Sequence, residues 1–197
     1  IHIRTKSPPP QVVGFFNSMI TLQPITTADD SLLTPLKALY ESAFPACERR
    51  QTEKLVQLIA NEPRFVCLAI IHLDAFVGFF TKWDLGAFCY GEHFAISDIV
   101  RGQKMGSKAL QKIVETVTKP LILEVELPTD NVSTRRIAFY ERANFKLCRE
   151  TYVQPPYEKG FEPIPMYLME YGGNLTQTHF STIVKTLHTE IYGIKIA

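Results

Sequence analysis

The chain has 197 residues, of which 46% are hydrophobic and 21% charged, and its formal net charge is +1 at pH 7. This composition is typical of a globular protein with one sizeable hydrophobic core. A nearly balanced charge gives no long-range attraction to nucleic acid or to an anionic membrane. No apolar run reaches the roughly 18 residues that a membrane-spanning helix needs. We therefore expect neither nucleic acid nor a membrane among its partners.

The four cysteines, Cys47, Cys67, Cys89 and Cys148, are scattered along the chain. They form no C-x-x-C pair, and no histidine lies at metal-ligand spacing, so the sequence predicts no metal site. Three of them lie in apolar, strand-like runs. Buried, reduced thiols are typical of a cytosolic protein, and we predict a cytoplasmic location.

Residues 1–18 are rich in proline and have no periodicity, and Met19 immediately precedes a strand-like segment. We interpret 1–18 as a leader that is non-native or disordered, and we expect the main domain to span 19–173. From Phe180 to Ile191, apolar residues recur at helical spacing. Residues 174–197 are therefore predicted to form an amphipathic helical tail packed on the domain, with a partner-binding helix as the alternative.

From Met19 onward, strands and helices alternate. A first strand at 19–25 precedes a helix with Ser31 as its expected N-cap, and a second helix has Thr52 as its expected cap. Strands at 64–72 and 75–84 flank a predicted hairpin turn at Leu73 and Asp74, and a further strand covers 87–97.

The second half of the chain continues this pattern. A helix after Gly106 is expected to end at Pro120, and a strand follows at 121–127. Ser133 is the expected cap of a helix through Ala143, and strands at 145–154 and 165–171 close the sheet. The sequence predicts one α/β domain with a mixed sheet: hairpins first, then a strand–helix–strand unit.

Residues 101–110, RGQKMGSKAL, form a basic turn followed at once by an amphipathic helix. The free N–H groups and the dipole of a helix N-terminus attract anions. Gly102 and Gly106 allow the backbone to approach a phosphate closely, while Arg101 and Lys104 add positive charge. The spacing excludes both G-x-x-x-x-G-K-[ST] and G-x-G-x-x-G. The turn alone leaves two interpretations open, another kind of phosphate site or an ordinary surface loop.

A second motif lies about 35 residues downstream, in RRIAFYERANFKL. Together the two resemble the GNAT superfamily of acyl-CoA-dependent N-acetyltransferases, over residues 19–171. The turn resembles R-x-x-G-x-G/A, with Lys104 in place of the middle glycine. The downstream motif resembles Y-x-x-x-G-F, with Tyr140, Phe145 and, in place of glycine, Asn144. Asparagine is the residue that best replaces glycine in a left-handed helix C-cap.

The resemblance implies a mostly antiparallel mixed sheet that splays after its fourth strand and receives acetyl-CoA as co-substrate. The pantetheine would pair with the backbone of the fourth strand, and the pyrophosphate would lie on the turn. Ser133 stands where the family often has an asparagine. The implied cofactor-binding residues are Phe94, Ala95, Ile96, Arg101, Gly102, Gln103, Lys104, Met105, Gly106, Ser107, Ser133 and Tyr140.

The resemblance also implies N-acetylation of a primary amine by direct attack on the thioester in a ternary complex. Tyr140 is the expected acid, because a phenol stays protonated at pH 7. Glu92 is the first candidate for the base. His93 should point to the opposite face of its strand, and Glu124 and Glu126 are further candidates.

The resemblance implies acceptor recognition at the first two helices and the last hairpin, where this sequence has Glu48, Arg49, Arg50, Tyr152 and Tyr157. The arginines indicate either an acidic acceptor or merely a solvated helix end. A small metabolite is the leading acceptor, and a protein lysine or N-terminus is the alternative. A non-catalytic acyl-CoA-binding module is the alternative from another class, and a homodimer is a further hypothesis.

Overall fold

The protein is described by a computed structural model that covers residues 20–100 and 102–194. The predicted leader and Arg101 therefore lie outside the described residues. The strands are β1 Ile20–Ile25, β2 Phe65–His72, β3 Ala75–Asp84, β4 Cys89–Ile96, β5 Leu121–Glu126, β6 Lys146–Gln154 and β7 Ile164–Tyr171. They form one sheet in the order β1-β2-β3-β4-β5-β7-β6. The β4–β5 pair is parallel and the other pairs are antiparallel, so the predicted mixed sheet is confirmed.

Helices cover both faces of this sheet. They are α1 Leu33–Ala43, α2 Thr52–Asn61, α3 Met105–Val114, α4 Asn131–Glu141, α5 Leu175–Thr178 and α6 Phe180–Thr186. A π-helical turn, Leu187–Ile191, follows α6. One hydrophobic core lies beneath α1, α2 and this tail, and a second lies beneath α3 and α4. Within the described ranges, no helix is long and apolar enough to cross a membrane.

The predicted hairpin between β2 and β3 is confirmed. Leu73 and Asp74 both have positive φ, 49° and 59°. This pair of left-handed residues is what a two-residue type I′ turn requires, because its twist matches that of the flanking strands. The turn thus fixes the register of the two strands that precede β4.

Both predicted serine caps are wrong. The N-cap of α1 is Leu32, which makes no side-chain cap hydrogen bond. Asp30 Oδ1 accepts a hydrogen bond from the amide of Leu32, at 2.9 Å, at the start of α1. At α4 the N-cap is Asp130, and Ser133 lies three positions later. The Ser133 hydroxyl completes a capping box with the Asp130 backbone and carboxylate.

Two other predicted helix limits differ from the structure. Thr52 is the first residue of α2 rather than its cap, and its hydroxyl donates to Glu41 Oε1 at 2.5 Å. Helix α3 ends at Val114, well before Pro120. The Thr116 hydroxyl donates to the carbonyl oxygen of Ile113 at 2.7 Å, which satisfies one of the last carbonyls and ends the helix there.

The predicted splay is confirmed. Strands β4 and β5 pair only from Cys89 to Gly91 on β4 and from Leu121 to Leu123 on β5. Beyond these residues the two strands continue without pairing to one another. The sheet is therefore open between the second half of β4 and the second half of β5.

A β-bulge interrupts β4 where the splay begins. Opposite β3, Thr81 pairs with His93 and Lys82 pairs with Gly91, so Glu92 is the additional residue. A bulge breaks the strict alternation of side chains. Glu92 and His93 consequently both face the core beneath α1 and α2, and the prediction that His93 points to the opposite face is wrong.

The described part of the tail forms α5, α6 and the π-helical turn. Ile183, Leu187 and Ile191 are buried in the same core as α1 and α2. Cys67, Cys89 and Cys148 are buried free thiols, as predicted, and Cys47 is a half-buried one.

Candidate active site

The opened strands enclose a cleft of about 770 Å³, which we call the central cleft. Gly91–Ile96 of β4 line one wall, and Leu123, Glu124 and Glu126 of β5 line the other. Ala95 belongs to one core and Leu123 to the other, so the cleft passes through the sheet from one face to the other. A second hollow, of about 400 Å³, continues from it at Ile96–Asp98.

The wall formed by β4 has a free strand edge. On one edge, β3 pairs with β4, with Phe80 opposite Phe94 and Gly78 opposite Ile96. On the other edge, none of the described strands pairs with β4 beyond Gly91. An extended chain can add to such an edge as a further strand. Phe94, Ala95 and Ile96 lie where the predicted pantetheine contact needs them.

The basic turn lines the second hollow. Gly102 and Lys104 both have left-handed backbone, with φ of 82° and 57°. Gly102, Lys104, Met105, Gly106 and Ser107 face the hollow, whereas Gln103 is not among the described residues that line it. The first amides of a helix have no partner within that helix and suit an anion.

The left-handed conformation explains why a glycine would suit position 104. Lysine adopts this conformation at some cost in backbone strain, which glycine avoids. Gly106 has a different role, since it lies inside α3. A Cβ added there would make an ordinary contact, 3.6 Å from the Phe139 ring at the wall of the hollow.

Tyr140 and Ser133 are both predicted cofactor-binding residues on α4, but only Tyr140 lines the central cleft. Tyr140 is half-buried and lines the central cleft. Burial raises the pKa of Tyr140 to about 12, so the phenol is protonated at neutral pH. Asn144 has φ of 66°, which confirms the left-handed C-cap after this helix. The Ser133 hydroxyl, in contrast, is occupied by the capping box and does not line the cleft.

Glu92, the predicted base, is held in a buried ion pair. Its side chain has 0% exposure, and Arg50 Nη2 donates to Oε1 at 2.9 Å. Trp83 Nε1 donates to the other oxygen at 3.2 Å. Burial alone would raise the pKa, but the guanidinium and the neighbouring His93 bring the pKa of Glu92 to about 2. Such a carboxylate is a poor proton acceptor at neutral pH, so the structure does not support this assignment.

Glu124, on the facing strand, has a different environment. Tyr90 Oη donates to its Oε2 at 2.9 Å, and Tyr192 Oη reaches Oε2 at 2.9 Å and Oε1 at 3.2 Å. Burial raises the pKa of Glu124 to about 7, although these hydroxyls and that of Tyr152 lower it. Both its protonated and ionised forms are therefore populated at neutral pH. It lines the central cleft, where a substrate can reach it.

The predicted acceptor residues divide into two groups. Glu48 and Tyr157 line the central cleft, and Arg49, Arg50 and Tyr152 do not. Arg49 Nε donates to the Phe44 carbonyl oxygen at 3.1 Å, and Arg50 is bound to Glu92. Tyr152 is only 1% exposed. The arginines are thus part of the fold, and the idea that they recognise an acidic acceptor is not supported.

The sequence interpretation missed the residues that surround Glu124 and Arg50. Tyr90 and Tyr192 are 102 positions apart, yet their hydroxyl oxygens lie 3.2 Å from one another. Arg50 Nη2 donates to the carbonyl oxygen of Ile191 at 2.9 Å. No local sequence motif indicates either contact. The one available signal was the alternation of Ile122, Glu124 and Glu126, which places carboxylates on one face of β5.

The profile of the acetyltransferase (GNAT) family matches residues 33–145. A GNAT-family acetyltransferase from Bacteroides thetaiotaomicron, described as putative, is 36% identical, with a TM-score of 0.85 over 89% of this chain and 99% of that one. The chain therefore belongs to the GNAT acetyltransferase family. It is an acyltransferase by family and fold, so a non-catalytic binding module no longer competes.

More distant structures share the fold. NAA60 of Arabidopsis thaliana, in complex with acetyl-CoA, has 18% identity and a TM-score of 0.59, over 78% of this chain and 98% of that one. An aminoglycoside 6'-N-acetyltransferase complexed with coenzyme A has 17% identity and a TM-score of 0.56, over 77% and 96%. A search of the curated proteins found no match. The described residues contain no cluster of side chains suited to a metal ion.

Proposed function

We propose that the protein transfers an acetyl group from acetyl-CoA to a primary amine, by direct attack in a ternary complex. The observation that carries the proposal is Glu124, a carboxylate with a pKa of about 7 in the same cleft as the protonated Tyr140. A base with a pKa near neutrality and an acid with a pKa well above it can serve the two proton transfers of this reaction.

The residues present fit acetyl-CoA, which brings the reactive thioester. Its pyrophosphate would lie on the turn at Gly102–Ser107, and Lys104 would add charge beside it. The free edge of β4 at Phe94–Ile96 would hold the pantetheine. A backbone N–H of that edge can stabilise negative charge that develops on the thioester oxygen.

Glu124 then activates the acceptor. A free alkylamine has a pKa near 10, so only about one molecule in a thousand is neutral at pH 7. Glu124 accepts the proton from the amine, directly or through a water molecule, and Tyr140 donates its phenolic proton to the departing thiolate. Glu92 remains ionised beside Arg50 and takes no part in the proton transfer.

The acceptor end of the cleft suits a cationic amine. The carboxylates of Glu48 and Glu124 line it, while that of Glu126 is paired with Arg136. The side-chain oxygen of Gln154 is buried, lines the same cleft and has no hydrogen-bond partner. These groups accept hydrogen bonds, and carboxylates attract positive charge.

A small acceptor is favoured because the two segments that flank the site are joined. The Arg50 guanidinium lies 4.7 Å from the centre of the Tyr157 ring. Lys54 Nζ lies 2.6 Å from Glu158 Oε1. These contacts close the space between the start of α2 and the loop after β6, where an extended peptide would need an open groove.

A panel of acceptors tests this proposal, with thiol release as the readout. It would contain small mono- and diamines, amino sugars, and peptides with a free N-terminus or a lysine. We expect small cationic amines to react fastest. Activity confined to peptides would replace the small acceptor with a protein. Separately, acetyl-CoA should raise the melting temperature, and no rise at millimolar concentration would contradict the co-substrate assignment.

A further inference from the structure

The carboxylate of Glu124 is held by several distant segments. The groups that face it are Tyr90 and Glu92 of β4, Tyr152 of β6, Tyr157 of the following loop, and Tyr192 of the tail. Tyr90 reaches one carboxylate oxygen, whereas Tyr192 lies within hydrogen-bond distance of both. The tail hydroxyl is therefore the contact that best defines the orientation of this carboxylate.

The tail itself is firmly attached at this point. Leu187 and Ile191 are 0% and 4% exposed, so the π-helical turn is fixed in the core. Arg50 donates to the carbonyl oxygen of Ile191, and the Tyr157 and Tyr192 ring centres are 5.1 Å apart. π-Helical turns occur mostly as single turns and are frequent at functional sites. Here the turn delivers Tyr192 to the interior of the domain.

We propose that Tyr192 is a positioning residue, which orients the Glu124 carboxylate toward the central cleft and so couples the tail to the active site. This inference rests on the proposed function, in which Glu124 is the base. Tyr192 does not line the cleft and so acts through Glu124 rather than on the substrate. It deepens the proposal by adding a segment outside the part of the chain that matches the family profile.

The direction in which the pKa of Glu124 should change follows from the role of Tyr192 as a hydrogen-bond donor. A hydroxyl that donates to a carboxylate stabilises its ionised form and lowers its pKa. The variant Tyr192→Phe removes only this oxygen and keeps the ring against Tyr157. We expect the pKa of Glu124 to rise by about half to one pH unit, the range for loss of one neutral hydrogen bond.

Two measurements test the inference. Carboxyl 13C NMR follows the titration of Glu124, whose signal is identified by its loss in Glu124→Gln and is observed without substrate. The profile of kcat/KM against pH follows the same group during the reaction. In Tyr192→Phe both should move to higher pH, and activity should recover well above the new pKa. A purely structural role would lower activity at every pH and leave the titration unmoved.

Tyr171→Phe is the matched control. Tyr171 packs against Phe145 in the other core and should leave the titration unchanged. The control variant and Tyr192→Phe should both melt cooperatively. An unmoved titration in Tyr192→Phe overturns the inference, and if Glu124→Gln is then inactive the proposed function still stands. A fully active Glu124→Gln overturns both.

Discussion

Glu92 and Glu124 lie on the two strands that separate from one another. Burial acts to raise the pKa of each carboxyl group, but the net pKa values differ. Their partners differ. Glu92 faces the guanidinium of Arg50, which favours its ionised form, and its pKa is about 2. Glu124 faces neutral hydroxyls of Tyr90 and Tyr192, which cannot offset the burial, and its pKa is about 7. The difference teaches that the charge of the nearest partner, rather than depth, separates a structural carboxylate from one suited to catalysis.

The largest expected effect comes from removing the base. Glu124→Gln keeps the shape of the side chain but cannot accept a proton, so kcat should fall by about 10²- to 10⁴-fold. The Kd for acetyl-CoA should change little. Steady-state thiol release and calorimetric titration measure the two quantities. Glu150 is an exposed glutamate on β6, and Glu150→Gln is the control. Unchanged turnover in Glu124→Gln would show that Glu124 is not the base.

Glu92→Gln should act mainly on stability. Removal of one partner leaves Arg50 charged and largely buried, with 15% exposure, at a cost of about 3 kcal/mol in the free energy of unfolding. Urea denaturation measures this change. The double variant Glu92→Leu with Arg50→Met should regain much of the loss. Normal stability combined with lost turnover would return the catalytic role to Glu92.

Tyr140→Phe tests the acid that complements Glu124. Without the phenolic proton, the thiolate leaves unprotonated, and kcat should fall by roughly 10²-fold. The ring still packs against Phe139 and Phe145, so acetyl-CoA affinity should be retained. Steady-state kinetics measure kcat, and a binding titration measures the affinity for acetyl-CoA. Equal turnover in Tyr140→Phe and wild type would leave Tyr140 a packing residue.

The two carboxylates should also respond to pH in opposite directions. The folded pKa of Glu92 is depressed, so its stabilising contribution is present above about 4.5 and is lost as the pH falls toward 2. The folded pKa of Glu124 is raised, so its contribution is complete below about 4.5 and is lost as the pH rises through 7.

Calorimetry of wild type and Glu124→Gln between about pH 5 and 8 measures the second of these effects. The wild type should lose a few degrees of Tm relative to the variant as the pH rises. Glu150→Gln should follow the wild type. A constant difference would show that Glu124 does not titrate in this range.

The smallest expected effect lies far from both carboxylates, at the turn. Lys104→Gly removes a charge beside the phosphate hollow but relieves left-handed strain. Acetyl-CoA affinity should fall by about two- to fivefold, mostly at low salt. Lys104→Ala, which loses the charge and keeps the strain, is the comparison. A loss greater than about 50-fold would indicate a specific contact by the lysine.

Much of the fold was predictable because its signals are local. The positive φ of Leu73 and Asp74 belongs to a two-residue turn between apolar runs, and Asn144 follows from a helix end. Helix limits were less accurate, because the N-cap of α1 is Leu32 rather than Ser31 and that of α4 is Asp130 rather than Ser133. The choice between such caps depends on the path of the chain before the helix, which the residue types alone do not define.

The candidate site was predictable only in part. The central cleft, Tyr140 and the turn follow from motifs. The role of Glu92 did not, because its partner Arg50 is 42 positions away and looked like an exposed helix end. The bulge that turns His93 toward the same face has no residue signature in this strand. The pKa values of Glu92 and Glu124 depend on partners that the sheet and the tail bring close from distant parts of the chain. No local sequence pattern predicts these contacts.

The contact between Arg50 and the carbonyl oxygen of Ile191 spans 141 positions of the chain. During synthesis, the residues of the turn, the strands and both carboxylates leave the ribosome before Tyr192. Until then Arg50 lacks the carbonyl oxygen of Ile191, Glu124 lacks the hydroxyl of Tyr192, and the interior surface that later accepts Leu187 and Ile191 is exposed. A chain that stops before Leu187 should therefore expose this apolar surface and be more prone to aggregate than one that includes the tail.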